Sequence, residues 1–288
     1  MNEKRMKRRL RILAGFSIVI TVFIFVAGFA GMRVFMTTFN QTMKETMSRE
    51  AENYKGRIQR QIENNFQTLN TLASFIEMTE FDQKEEFEEA LAKADAKNDF
   101  LLFGYFNLEG EGVFTSNEGY IHVTLSNVSE EIRHVVETTF QGEKSVSDAF
   151  MGDVSMQSVF VYGVPVYQNG KVTGSLVASD SVDAFSEEVG NKEVIGNRGY
   201  MHLIDSDGNY IIHRDESVVK EKVDTIFGAP YMSETEAEEM KQHLKRNEVQ
   251  KFSFVYENVE YNARLEPLGI NGWYLFCINS MKNANTST

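Results

Sequence analysis

The chain repeats itself, and that repetition limits the available folds more than any other feature. Phe100 to Phe106 is a near-continuous apolar run, Glu109-Gly110-Glu111-Gly112 breaks it, and Val113-Phe114 resumes. Further on, Tyr200-Met-His-Leu-Ile204 leads into Asp205-Ser206-Asp207-Gly208 and out through Tyr210-Ile211-Ile212. Each reads as strand, turn, strand, and both turns follow the pattern acidic-x-x-Gly. A second motif also recurs, Pro-x-x-x-Asn-Gly at Pro165 to Gly170 and at Pro267 to Gly272. It precedes the apolar strands Gly174 to Ala178 and Trp273 to Ile278. Asn-Gly suits a tight hairpin because both residues tolerate positive φ. Two unrelated motifs recurring at nearly the same offset predict two related α/β units of about 90–100 residues, each an antiparallel sheet with helices.

Ahead of the repeats lies a segment of different character. Residues 1–32 hold Lys4, Arg5, Lys7, Arg8, Arg9 and Arg11 against the single acid Glu3, so the rest of the chain is more acidic than the net charge of -13. The run Ile12 to Met32 carries no charge. As a helix it would span roughly 32 Å, the thickness of a bilayer's hydrocarbon core. The basic cluster before it places the N-terminus in the cytoplasm and the remainder outside. A cleaved signal peptide is the rival, with Ala27-Gly28-Phe29-Ala30 offering small residues, but its apolar region would run only about 7–15 residues. After Arg33, apolar residues recur in steps of three or four at Met43, Met47, Ala51, Tyr54, Ile58, Ile62, Phe66, Leu69, Leu72 and Ile76. That stripe predicts a long amphipathic helix, dimeric near its base and docked on the following domain above. A second helix is expected near Asp82 to Lys97, with Phe87, Leu91 and Ala94 inward.

Composition removes several functional classes. The acidic balance disfavours a general nucleic-acid binder, which needs a basic face for phosphates. The lone Cys277 excludes an intramolecular disulfide framework and a cysteine-based zinc site. The five histidines, His122, His134, His202, His213 and His243, show no metal-ligand spacing. Asp205-Ser-Asp-Gly208 is read as a tight turn in preference to the start of a calcium loop, and Glu234 to Arg246 as a capped surface helix. No catalytic constellation, cofactor motif or metal site emerges.

The apolar anchor, long helix and tandem PAS-like sheets together resemble the double-Cache (dCache) extracytoplasmic sensor domain of bacterial transmembrane receptors. Gly199-Tyr-Met-His-Leu-Ile-Asp-Ser-Asp-Gly208 with Ile212-His-Arg-Asp215 is similar to the opening of that family's membrane-proximal module. Gly163-Val-Pro-Val-Tyr-Gln-Asn-Gly-Lys-Val-Thr-Gly174 is similar to the end of its membrane-distal one. The resemblance implies an α+β chain: a basic cytoplasmic N-terminus at 1–11, a transmembrane helix at 12–32 and a stalk helix at 33–78. A membrane-distal module at 79–190, a membrane-proximal module at 191–280 and a C-terminal tail at 281–288 would follow. It also implies a single-pass plasma-membrane protein that is itself no enzyme, a homodimer through the stalk, and a small-molecule ligand of amino acid, carboxylate or amine class. A cyclase, kinase or chemoreceptor output would then lie outside these residues, or in a separate partner.

In this family's amino-acid-binding members an arginine followed by aromatics pairs with a late aspartate. Arg133 and Asp180 match best here, although Val135 and Val136 stand where aromatics are expected. Asp180 could meet a ligand ammonium and Arg133 could grip a carboxylate. Read without the resemblance, Asp180 caps the helix entering at Val182, and Arg133 pairs along its helix with Glu130 or Glu137. Tyr105, Tyr120, Phe150 and Tyr162 are candidate pocket walls or plain core, and Asp148 and Asp153, which flank Phe150 near the family's pocket segment, are ligand-binding acids, Asp153 foremost, or surface loop acids. The competing functions are a non-signalling surface scaffold and, more remotely, an anchored hydrolase.

Overall fold

A computed structural model of the chain describes residues 3–79, 84–116, 119–153, 155–189, 199–213 and 224–280. The C-terminal tail 281–288 and the Arg214-Asp215 end of the second opening motif lie outside the described residues. The chain divides into two units, Met1–Arg49 and Glu50–Thr288, and the helix α1 (Glu3–Met78) contributes to both. In the first unit the apolar side chains from Phe16 to Phe35 are exposed, Phe23, Ile24 and Phe25 among them. Thr21 and Thr37 turn their hydroxyls back onto the carbonyls of Ser17 and Arg33, which satisfies them without water. Among the described residues, α1 is the one helix long and apolar enough to cross a membrane.

In the second unit the helical period decides what α1 buries. Ala51, Tyr54, Ile58, Ile62, Phe66 and Leu69 are all buried, as the stripe predicts. Beyond them Ala73 takes the inward position, while Leu72 and Ile76 are only partly covered. Opposite this helix stand two antiparallel sheets.

The first sheet contains β1 (Leu102–Asn107), β2 (Glu111–Ser116), β3 (Gly119–Thr124), β4 (Ser145–Val146), β5 (Phe150–Met151), β6 (Ser158–Gln168) and β7 (Lys171–Ser181), in the order β3-β2-β1-β7-β6-β4, with β5 also on β6. Its helices are α2 (Lys84–Asp95), α3 (Glu130–Phe140) and α4 (Val182–Glu188). The second sheet contains β8 (Gly199–Ile204), β9 (Tyr210–Ile212), β10 (Gln250–Tyr256), β11 (Val259–Pro267) and β12 (Tyr274–Ser280), in the order β10-β11-β12-β8-β9, with α5 (Glu234–Arg246) before β10. The sequence β9-β8-β12-β11-β10 repeats β2-β1-β7-β6-β4 strand for strand, so the duplication extends to topology.

Turn chemistry shows how deep the repeat goes, and corrects its register. Asn169-Gly170 and Asn271-Gly272 all have positive φ, as Asn-Gly hairpins require. Asp205 accepts the amide of Asn209 through Oδ1, and Asn107 accepts that of Glu111 in the same way. Gly208 and Gly110, both left-handed, then donate to Asp205 O and Asn107 O. Gly110, two residues before Gly112, is therefore the counterpart of Gly208. Gly112 lies inside β2, where a Cβ would come within 2.4 Å of the Phe106 ring. Its glycine serves sheet packing and not the turn.

Pro165 stands inside β6. It is tolerated because the odd residues of β6 turn their N–H away from β7 and toward β4, as Val161 does to Ser147, and β4 pairs only with Gly163 and Tyr162. Helix α5 opens on a full capping box between Ser233 and Glu236 and closes on left-handed Asn247. A core of Phe106, Val161 and Val177 with Val135 and Val136 of α3 fills one face of the first sheet. In the second, Met240 and Leu244 of α5 pack on Phe254, Leu265, Phe276 and Ile278.

Candidate functional site

Strand alternation sorts the candidate residues of the first module onto two faces. Asp180 pairs with Phe160 across β6 and β7, and its Oδ2 accepts a hydrogen bond of 3.2 Å from Asn65 of α1. It is 7% exposed. Ser181, and not Asp180, caps α4, accepting the amide of Ala184 at 2.8 Å. Tyr162 shares the face of Asp180 and meets Phe66 of α1 edge to face at 5.6 Å. Tyr105 lies on that face under α2, against Phe87 at 4.9 Å, and donates its hydroxyl to Thr173 O. Burial pushes its phenol above the ordinary value. Tyr120, opposite Thr115 on β3, is 39% exposed.

Phe150 belongs to the other face, packed on the α3 core. Arg133 turns its guanidinium onto the chain ahead of its own helix, donating to the carbonyls of Leu125 and Val128 at 3.2 Å each and of Ser126 at 3.4 Å. Asp153 is exposed in the turn after β5. The structure thus brings Asp180, Tyr162 and Tyr105 to one face and sets Phe150 on the other; Arg133 and Asp180 do not meet.

A cleft of about 490 Å³ opens between α2 and strands β1 to β3. Of the candidate residues only Tyr105 lines it; Lys84, Phe87, Glu88, Glu111 and His122 are its other notable walls. Glu88 is 8% exposed, and its Oε1 lies 3.6 Å from both Lys84 Nζ and His122 Nε2. Lys84 Nζ is 3.5 Å from His122 Nδ1, an arrangement suited to the tautomer with its proton on Nε2. A buried carboxylate held, among the described residues, by loose ion pairs is costly to maintain and open to a better donor. On α2 the buried residues are Glu88 and Leu91, with Phe87 and Ala94 half-buried and Lys84 exposed, so the inward stripe that the apolar pattern assigns to Phe87, Leu91 and Ala94 also carries an acid.

The other concentration of polar contacts is where the two sheets meet. Trp273, fully buried just ahead of β12, donates its indole N–H to Asp148 Oδ1 and packs on Phe160 at 5.2 Å. Asn271, in the hairpin of the second module, donates its amide to Val146 O of the first. Nothing in the sequence links these residues except that Asn271 belongs to a recurring motif and Trp273 follows it. A family model described as Cache domain matches residues 35–287. The chain belongs to the Cache family. No curated protein matches it. Among solved structures, the sensory domain of the Campylobacter jejuni chemoreceptor Tlp3 with isoleucine bound is similar at 13% identity and TM-score 0.64, covering 85% of this chain and 96% of that one. The ligand-binding domain of the Pseudomonas aeruginosa PAO1 amino acid chemoreceptor PctB with L-Arg gives 13% identity and TM-score 0.60 over 86% and 99%. The extracellular domain of a putative histidine kinase, soHK1S-Z6, gives 15% and 0.58 over 85% and 96%.

Within this Cache chain the Asp148 contact has a testable pH signature. Burial, the largest influence, pushes the Asp148 carboxyl above its ordinary 3.8, with the Trp273 indole working against that. A raised carboxyl pKa means that the folded state favours the protonated form. Its stabilising contribution is complete below the unfolded value and is lost as pH rises through the folded one. Asp148→Asn, which keeps an acceptor for the indole, is therefore expected to melt above the parent at neutral pH. The difference should close as pH falls toward about 3. Thermal melts across that range check it; a gap that widened on acidification would refute it.

Proposed function

We propose that this Cache chain is the extracytoplasmic sensor of a membrane-anchored receptor, with a small molecule bound in the first module. The N-terminus is cytoplasmic, residues 12–32 span the plasma membrane, and the chain pairs as a homodimer through α1. The first module, assigned to 79–190, is membrane-distal and the second, 191–280, proximal. Amino acids in the Tlp3 and PctB structures make that ligand class the first choice here. The observation that carries the reading is that α1 is bonded to both modules. Asn65 and Glu77 bond to Asp180 and the Tyr167 amide in the first module, and Gln59 to Leu268 O in the second. A ligand that favours one arrangement of the first module therefore biases the helix leading to the anchor, by no more than its differential affinity for the two arrangements.

A thermal-shift screen of the full chain in detergent against amino acids, short carboxylates and amines tests this. A ligand at 100 times its dissociation constant stabilises by about 2.7 kcal/mol, which should raise Tm by roughly 5–10 °C. Cysteine at Met43, on the predicted seam, is expected to cross-link two chains in membranes. A scaffold that binds no small molecule is the second reading, favoured by the apolar filling of the α3 face. It predicts no shift with any compound.

A further inference from the structure

The second module has a cavity of its own, about 300 Å³ between α5 and the edge strand β10. We propose that this cavity is a second small-molecule site, separate from any ligand in the first module, which takes an amine with an apolar, preferably aromatic, body. Its aromatic wall consists of Tyr231, Phe252 and Phe254, with Tyr231 stacked on Phe254 at 4.0 Å and 15°. Phe254 is itself stacked between Tyr231 and Tyr261, so attraction of a cation and stacking of a flat apolar group fall to Tyr231 and Phe252. The helical wall presents Glu236, Glu239 and His243, one turn apart on a single stripe of α5. Ser233 holds the Glu236 carboxyl below the ordinary range, so it is anionic at neutral pH. His243 borders the cavity beside them. Among the described residues, Lys251 is the only basic side chain bordering the cavity besides His243, and it stands on an outward position of β10 between Gln250 and Phe252. Two carboxylates against one exposed ammonium, over an aromatic wall, favour a cation.

The volume is at the lower end for ligand cavities and suits a single ring with a short aminoalkyl arm. Behind the aromatic wall, Tyr231 is hydrogen-bonded to Tyr210, whose hydroxyl burial pushes up to about 12. Tyr210 in turn packs against His202 and His213. Occupancy of the cavity would thus be felt at the β8–β9 end of the sheet through a continuous row of rings.

Isothermal titration of the full chain in detergent with phenethylamine, and with phenylethanol as the uncharged match, tests the proposal. Phenethylamine is expected to bind at least about tenfold more tightly than the alcohol. Glu239→Gln, an exposed change that leaves the capping box intact, should weaken the amine by about five- to tenfold, while Glu88→Gln in the first module should leave it unchanged. Equal affinity for amine and alcohol, no binding of either, or sensitivity to Glu88→Gln with none to Glu239→Gln would each overturn it. The last result would place the amine in the first module, so the two sites are distinguished.

Discussion

Trp273→Ala is expected to lower stability by about 3–5 kcal/mol, a fall in Tm on the order of 10 °C or more. Trp273 is fully buried, packs on Phe160 and gives its N–H to Asp148, so truncation opens a void at the junction of the two sheets and strands an acceptor. Trp273→Phe keeps most of the packing and loses only the N–H, so it should cost about 1–3 kcal/mol. Circular-dichroism melts of the full chain separate the two. Equal losses in both variants would show that the hydrogen bond, and not the ring, holds the junction. Since Trp273 is the only tryptophan, its emission also reports on this junction alone when a first-module ligand is added.

The second large effect is expected at β11. Arg264 and Glu266 are 8% and 6% exposed, and Arg264 donates to Glu266 Oε2 through Nε at 2.7 Å and again through Nη2. Lys55 of α1 approaches the other carboxylate oxygen at 3.8 Å. Arg264→Ala leaves a buried carboxylate with one distant partner and should cost about 3–5 kcal/mol. Replacing both charges, Arg264→Leu with Glu266→Met, should recover most of that loss, because buried ion pairs return little beyond the cost of desolvating them. Chemical denaturation of the three proteins decides it. A double variant as unstable as the single one would mean that the pair contributes net stability.

The two-sheet architecture was legible because it is written in local turn chemistry. Asn-Gly after Pro-x-x-x fixes a hairpin wherever it falls, and two copies announce a duplication. The acidic-x-x-Gly pairing was misjudged by two residues because Gly112 is a glycine for the sake of the Phe106 ring, a contact no turn pattern encodes. The candidate site was legible only in part. A strand's faces alternate, so sequence could put Asp180 at the end of β7 but not say that its side belongs to α1; its neighbour Ser179 faces the other way. Glu88 escaped notice because Lys84 is local to it but His122 comes from a strand far along the chain. Arg133, likewise, is spent on three carbonyls of a turn whose path only tertiary structure sets.

The helix shared by both modules has a consequence for how this sequence can diverge. Gln59 bonds to Leu268, whereas Asn65 and Glu77 bond to Asp180 and Tyr167. One residue added between Gln59 and Asn65 would turn everything beyond it by about 100° and advance it by about 1.5 Å. Every contact with the first module would then face solvent. Lineages descending from this chain can exchange side chains between Lys55 and Glu77, but they cannot change the number of residues there. Length variation among them should be confined to loops and to the helix below Glu50.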